Sequence, residues 1–416
     1  VTDVPPPRST SIGLNAFNFF MASLQTGFGP FLPVYLTTAG WSQEDVGFAL
    51  SLGAVASVAS QVPAGFLVDH VLRKRLVCAG SIGMLGLSAL VLAFWPGFAS
   101  VWIAQILYAF GAAVLTPGIA ALTLNLSGHR AFGERVGNNA RYASLGNAAA
   151  AAFLGIIAYH MSHRSVFFLT AAMTLPALAC LLLIKPDRID PRSDHPALLP
   201  AAERPARPWH VFFELNLHTF AVCVTLFTLS SAAMLPIALN SLAAAHKAAG
   251  LATTGSIIAL QVVVVLFAPW IGRAAERWGR RPVLLAGFIA LPLRGLLFAT
   301  LPSAVPLIGI EVLDGLSAAV MGIMVPLTAA DLTRKTGFMN LAIGSFGLAS
   351  SLGATISTSL AGFIAERFGL RLAFLALAAA GALALLVVVI AMPETRPAED
   401  SPPVLRRTAG LPAPSP

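Results

Sequence analysis

Twelve stretches of this chain are apolar for about 20 residues, the length a helix needs to cross the roughly 30 Å hydrocarbon core of a bilayer. They run over residues 12–36, 46–68, 76–95, 99–126, 138–160 and 165–184, and then over 211–237, 253–271, 282–300, 304–327, 341–364 and 372–392. Several are joined by only a few Pro- or Gly-containing residues, such as Trp95-Pro96-Gly97-Phe98 and Leu301-Pro302-Ser303, which read as tight helical hairpins. The chain has 416 residues, and 11% of them are charged. Soluble domains carry about 25%, so a water-facing surface could not be covered. The short alternating pattern of an outer-membrane barrel is nowhere visible. The expected fold class is an all-α membrane protein with 12 transmembrane helices.

The net charge of +8 is a topology signal rather than a nucleic-acid one. With the N-terminus inside, the inner loops and tails hold 21 of the 26 Lys and Arg; the outer loops hold four, Arg164, Lys247, Arg367 and Arg371, and Arg294 lies within a run. That bias predicts two cytoplasmic termini in a bacterial-type inner membrane. The first run reads as a retained helix, not a signal peptide. Cys78, Cys180 and Cys223 sit in separate apolar runs without metal-ligand spacing and read as small core residues.

Residues 185–208 are dense in Pro and mixed charge, a linker composition. They separate an N-terminal six-helix half, 1–184, from a C-terminal half, 209–395; the Pro-rich tail 396–416 is expected to be disordered. The halves repeat one another at an offset near 207. Gly65-Phe66-Leu67-Val68-Asp69-His70-Val71-Leu72-Arg73-Lys74 follows the second run, and Gly272-Arg273-Ala274-Ala275-Glu276-Arg277-Trp278-Gly279-Arg280-Arg281 follows the eighth. Glycine, acid and paired bases align, with Pro63 and Pro269 upstream, as in transporters built from parallel repeats.

This loop resembles the Gly-x-Leu-x-Asp-x-x-Gly-Arg-Arg/Lys signature of the major facilitator superfamily, and the resemblance extends over nearly the whole chain. Gly65, Leu67, Asp69, Arg73 and Lys74 match, with Leu72 in place of the second Gly. The second copy keeps Gly272, Gly279 and Arg280, but has Glu276 for Asp and Ala274 for Leu. Pro393-Glu394-Thr395 resembles the end of the last helix in this superfamily. The resemblance implies two pseudo-symmetric six-helix bundles and a conformational gate at Gly65, Asp69, Arg73, Lys74, Gly272, Glu276, Gly279 and Arg280. Independently, an acid at such a helix end suits a neighbouring helix N-terminus, and Arg73 and Lys74 could pair with acids across the halves or bind anionic lipid. Glu134–Arg141 and Asp331–Gly337 look like a further pair of gate elements related by the repeat.

In the superfamily the first, fourth, seventh and tenth helices line the cavity. Polar residues here concentrate on those runs: Asn18, Gln25 and Tyr35, Gln105 and Tyr108, and His218. The first run is broken by Gly27, Gly29, Pro30 and Pro33, and a further break is expected at Pro117-Gly118. The substrate candidates are Asn18, Gln25, Gln105, Tyr108 and His218. Charged groups within a span are rare and mark function by default. Glu311 and Asp314, three apart, share a face of the tenth run and correspond by the repeat to Gln105 and Tyr108. Burial disfavours the charged form of a carboxyl, which suits a proton site. Arg294 should lie at a similar depth to Glu311, so either the two form a structural pair and Asp314 is the freer acid, or all three handle proton or substrate.

No nucleotide-binding loop, catalytic triad or metal spacing stands out, so no enzyme activity, cofactor or metal is expected. The expected function is a monomeric secondary transporter of a small organic solute, proton-coupled and working by alternating access. A drug or metallophore efflux antiporter is the alternative. It is weakened because Gln105-Ile106-Leu107-Tyr108 lacks the Arg of drug–proton antiporters and the fifth run lacks their Gly-Pro pair. A non-transporting membrane sensor or scaffold on the same fold is the alternative from a different class.

Overall fold

The computed structural model describes residues 8–28, 31–184, 215–244, 249–300 and 304–397. The linker expected at 185–208 and nearly all of the tail expected at 396–416 lie outside the described residues. Within them the chain is helical, without strands. The first half holds α1 (Arg8–Thr26), α2 (Phe31–Thr38), α3 (Gln43–His70), α4 (Lys74–Phe94), α5 (Phe98–Ser127), a short 3-10 turn (His129–Ala131), α6 (Phe132–His160), α7 (His163–Ala172) and α8 (Thr174–Leu182). The second holds α9 (Leu215–Ser231), α10 (Met234–Ala244), α11 (Ala249–Trp278), α12 (Arg280–Thr300), α13 (Ala304–Leu332), α14 (Met339–Phe368) and α15 (Leu370–Ala391).

Eleven described segments are long and apolar enough to cross a membrane. The remaining expected span, the first, is divided into α1 and α2, and the Ser-, Thr- and Asn-rich composition of α1 keeps it less apolar. Three of its polar side chains return to their own backbone. Asn18 Nδ2 donates to Leu14 O, Ser23 Oγ to Phe19 O and Thr26 Oγ1 to Ala22 O, so these three do not meet apolar surroundings bare; Thr10 Oγ1 is buried without a hydrogen bond among the described residues. The runs at 165–184 and 211–237 are likewise jointed, as α7/α8 and α9/α10. The break expected at Pro117-Gly118 does not occur. Pro117 is accommodated inside a continuous α5, and Gly118 lets that helix close on Cys78. In a packed apolar bundle, neighbouring groups can accommodate the bond a proline removes.

The chain forms two compact units. The first contains Val1–Leu126, Asn139–Pro200 and Gly337–Leu348; the second contains Ser127–Asn138, Ala201–Thr336 and Ala349–Pro416. Each unit therefore includes the opening turns of a helix whose remainder lies in the other: α14 opens in the first unit, and α6 in the second. In the first unit Leu14, Phe17, Met21, Ile82, Leu85, Leu115 and Leu181 form a core from α1, α4, α5 and α8. In the second, Met234, Phe298, Phe374 and Leu377 join α10, α12 and α15. The outward surface is apolar as well: Leu175, Leu182, Leu266 and Ile390 are exposed, as lipid-facing side chains are.

Close helix crossings repeat at the sequence offset of 207. A Cβ on Gly65 would collide with Asn340 O, and one on Gly272 with Gly133 O. Gly137 meets Ala268 O and Gly344 meets Gln61 O; Gly146 meets Phe19 O and Gly353 meets Thr225 O. Small residues at these points let backbones touch, the principal way helices pack where lipid removes the hydrophobic drive for association.

Candidate functional site

The two copies of the Gly-acid-base loop do the same thing in their respective units. In the first, Asp69 is fully buried at the end of α3 and faces the opening turn of α14. Its Oδ1 accepts the backbone N–H of Asn340 at 3.0 Å and Asn340 Nδ2 at 2.7 Å, and its Oδ2 accepts the Leu341 N–H at 2.7 Å. In the second, Glu276 Oε1 accepts the Glu134 N–H at 3.1 Å at the start of α6, and the Gly133 N–H also reaches this carboxylate. Gly133-Glu134 and Asn340-Leu341 are 207 positions apart, as are Asp69 and Glu276. Each acid thus satisfies orphan N–H groups of a helix N-terminus and opposes the positive end of its dipole.

This register corrects one expectation. Glu134–Arg141 opens α6, whereas Asp331–Gly337 spans the end of α13 and the turn after it. They are not equivalents; the partner of Glu134 is Leu341. The motif bases divide the work. Arg73 is exposed before α4, while Lys74 is buried and its Nζ donates to Val68 O at 2.7 Å, closing the end of α3. In the second unit Arg280 is buried, with Nε on Asp331 Oδ2 at 2.9 Å and Nη1 on Ala275 O. Glu394, from the Pro-Glu-Thr segment, accepts the backbone N–H groups of Arg280 and Arg281 and so caps α12. Gly279 has φ +103° and packs against that carboxylate, a position where a side chain would be strained and would clash. Asn340 escaped the sequence reading, and Asp331 entered it only as part of a gate segment, without its bond to Arg280. The offset of 207 applied to Gly133 would have found Asn340; nothing in the sequence pattern ties Asp331 to Arg280.

The charged site lies between α12 and α13. Arg294 Nη2 bonds Glu311 Oε1 at 2.8 Å, and its Nη1 bonds Asp314 Oδ1 at 2.6 Å. The side chains of Arg294 and Glu311 are 1% and 0% exposed, against 17% for Asp314. The guanidinium carbon lies 5.4 Å from the centre of the Phe298 ring. Two crossings hold the helices around this group: Gly315 admits Val263 of α11, and Ser317 Oγ donates to Gly287 O of α12. Arg294 therefore engages both acids rather than Glu311 alone, and Asp314 is freer only in its exposure.

The neutral candidates are less uniform. Gln105 is buried and its Nε2 donates to Ala49 O at 3.2 Å. Tyr108 stacks on Phe28 with ring centres 4.2 Å apart, and its hydroxyl reaches Gln25 O at 3.5 Å, so Tyr108 and the Gln25 backbone meet in one place. Asn18 is buried and bonded within α1. His218 is exposed on α9. Tyr35, grouped with the cavity residues by sequence, is a packing residue instead: its buried hydroxyl donates to Leu92 O at 2.8 Å beside Phe167.

The sequence model described as Major Facilitator Superfamily matches residues 12–237 and 217–413. The chain belongs to this superfamily. Its members are transporters, so this major facilitator is a multi-pass membrane transporter and not an enzyme. It is 34% identical over 403 residues to an uncharacterised MFS-type transporter of Mycobacterium tuberculosis, with 94% of each chain covered. The quinolone resistance protein NorA of Staphylococcus aureus is 24% identical over 169 residues, 40% of this chain and 43% of that one. Among solved structures, the proton:xylose symporter XylE superposes with a TM-score of 0.73 at 13% identity, covering 93% of this chain and 96% of that one. The likeness to XylE is one of fold.

Proposed function

We propose that this major facilitator is a proton-coupled secondary transporter of a small organic solute, set in a bacterial inner membrane with both termini in the cytoplasm. The observation that carries the reading is the ion triad of Arg294, Glu311 and Asp314 between α12 and α13. Charge held within a span costs at least about 2.5–3.5 kcal/mol on insertion scales, and function is its default explanation. A carboxyl that trades its bond to Arg294 for a proton would couple protonation to the packing of α12 on α13. Asn18, Gln25, Gln105, Tyr108 and His218 are the proposed solute contacts.

The acid-on-helix caps supply the conformational element. Asp69 and Glu276 each hold the opening turn of a helix that continues into the other unit. In this reading an alternating-access cycle makes and releases these caps, and Arg73, Lys74, Gly279 and Arg280 shape the helix ends that carry them.

Uptake or counterflow in proteoliposomes, with and without an imposed pH gradient, tests the reading. Asp314→Asn and Glu311→Gln are expected to abolish gradient-driven accumulation. Accumulation that ignores the gradient in the wild-type protein would remove the proton from the scheme. The partial match to NorA keeps drug efflux as a second reading; the missing Arg before Gly111 and the absent Gly-Pro pair in α6 stand against it.

A further inference from the structure

We infer that one face of α11 binds an anionic phospholipid, with the headgroup phosphate on Arg273 and Arg277 and an acyl chain along Val262 and Leu266. The inference concerns a surface away from the solute path and stands whether or not transport is proton-coupled. Its basis is one stripe of side chains. Val262, Leu266, Trp270, Arg273 and Arg277 recur every three or four residues, so they share a face of the helix. All five are exposed. The packed face is a different one: Ala268, Ile271 and Ala275 are buried, and Gly272 closes on Gly133 O of α6. Exposed Val and Leu on a spanning helix are side chains that meet hydrocarbon. Trp270 and Trp278 sit edge to face with ring centres 5.6 Å apart, and Trp favours the level where acyl chains give way to headgroups. Arg273 and Arg277 come next along the helix, on the polar side of that level. From Val262 to Arg277 the helix rises about 22 Å, more than the roughly 15 Å of hydrocarbon in one leaflet. The stripe thus offers a tail, a boundary and a headgroup position in the order a lipid presents them.

Charge chooses the headgroup. Neither Arg273 nor Arg277 forms a salt bridge among the described residues. The one acid of α11, Glu276, is turned to the Gly133 and Glu134 N–H groups. Arg280 and Arg281 are engaged elsewhere, the first with Asp331 and the second through Nη2 with Val389 O of α15. A zwitterionic lipid would bring an ammonium with no acid on this face to receive it. A phosphodiester with an uncharged headgroup brings only the oxygens that guanidinium groups bond well. The caps do not account for the pattern. The offset of 207 carries Trp270, Arg273, Arg277 and Trp278 onto Pro63, Phe66, His70 and Val71, so the first unit builds its cap without these residue types. A free phosphate or an acidic peptide would use the arginines and leave Val262, Leu266 and Trp270 without a role. A lipid uses the whole stripe.

The experiment titrates the purified full-length chain, in neutral detergent, with phosphatidylglycerol and with phosphatidylcholine of the same acyl chains, one chain brominated so that it quenches nearby tryptophan. Native mass spectrometry counts the lipids retained. Two basic residues beside an anionic headgroup are worth roughly thirtyfold in binding, and phosphatidylglycerol should be preferred by about that factor. Arg273→Gln combined with Arg277→Gln should erase the preference. Arg73→Gln combined with Lys335→Gln removes the same charge from exposed positions elsewhere and should leave the preference as it is. Trp270→Phe combined with Trp278→Phe should keep the preference and remove the quenching that depends on phosphatidylglycerol. That pair locates the lipid without touching the arginines, so it decides the matter even if the Gln pair melts early. Equal binding of the two lipids, an undiminished preference in the Gln pair, an equal loss in the Arg73 and Lys335 pair, or quenching that persists without Trp270 and Trp278 would each overturn the inference. Displacement of the lipid by glycerol 3-phosphate or inorganic phosphate at matching concentration would make the ligand a soluble phosphate and overturn it as well.

Discussion

Asp69 accepts the backbone N–H of Asn340, 271 positions further along the chain, at 3.0 Å and in full burial. The same relationship recurs between Glu276 and Glu134 at the start of α6. The superfamily loop is thus a pair of helix caps supplied from a distance.

The two caps should differ in strength. Asp69 is buried and takes three donors, whereas Glu276 is half-buried and takes two backbone N–H groups. Hydrogen bonds to a charged group are worth about 1.5–3 kcal/mol each. Asp69→Asn, which also turns an amide donor toward other donors, should lower the thermal midpoint of the detergent-solubilised protein by several degrees. Glu276→Gln should lower it less. Equal shifts would show that burial does not set the strength of these caps.

Gly65 should tolerate no side chain. Its Cβ would collide with the backbone of Asn340, which cannot move away as a flexible side chain would. Gly65→Ala is therefore expected to abolish the monodisperse peak on size-exclusion chromatography or shift its melting strongly. Gly80→Ala on α4 is the control: nothing lies within 4 Å of that position. In a helix interior that change should stabilise by about 0.5–1 kcal/mol.

Arg294 should be worth more alone than as part of its group. Removing one partner of a buried ion pair costs about 3–5 kcal/mol because the remaining charge is stranded. Arg294→Gln strands two carboxylates and should reduce the folded yield severely. Adding Glu311→Gln and Asp314→Asn to it should recover folding without transport. Thermal melting of the single and triple variants decides this.

The charge bias can be tested by labelling. Cys78, Cys180 and Cys223 are buried, so an impermeant maleimide should meet little background. Ala39→Cys, in the exposed turn after α2, should react in intact cells. Lys335→Cys, exposed after α13, should react only once the membrane is opened. The reverse pattern would place both termini outside.

Twelve apolar runs and a loop repeated at a fixed offset were enough to name the superfamily, because bilayer thickness sets the length of every run and lipid contact its composition. Local punctuation was less legible. Pro117 looked like a break and proved to lie inside α5, because packed neighbours can make good what proline removes. Tyr35 looked like a cavity residue, but a carbonyl on α4 captures its hydroxyl. The sequence could place Arg294 and Glu311 at one depth, since hairpin length is a one-dimensional quantity. It could not show that Arg294 turns to both acids, or that Asp69 finds Asn340. Those pairings depend on how helices rotate and cross, and crossing is decided by glycines and side chains far apart in the chain.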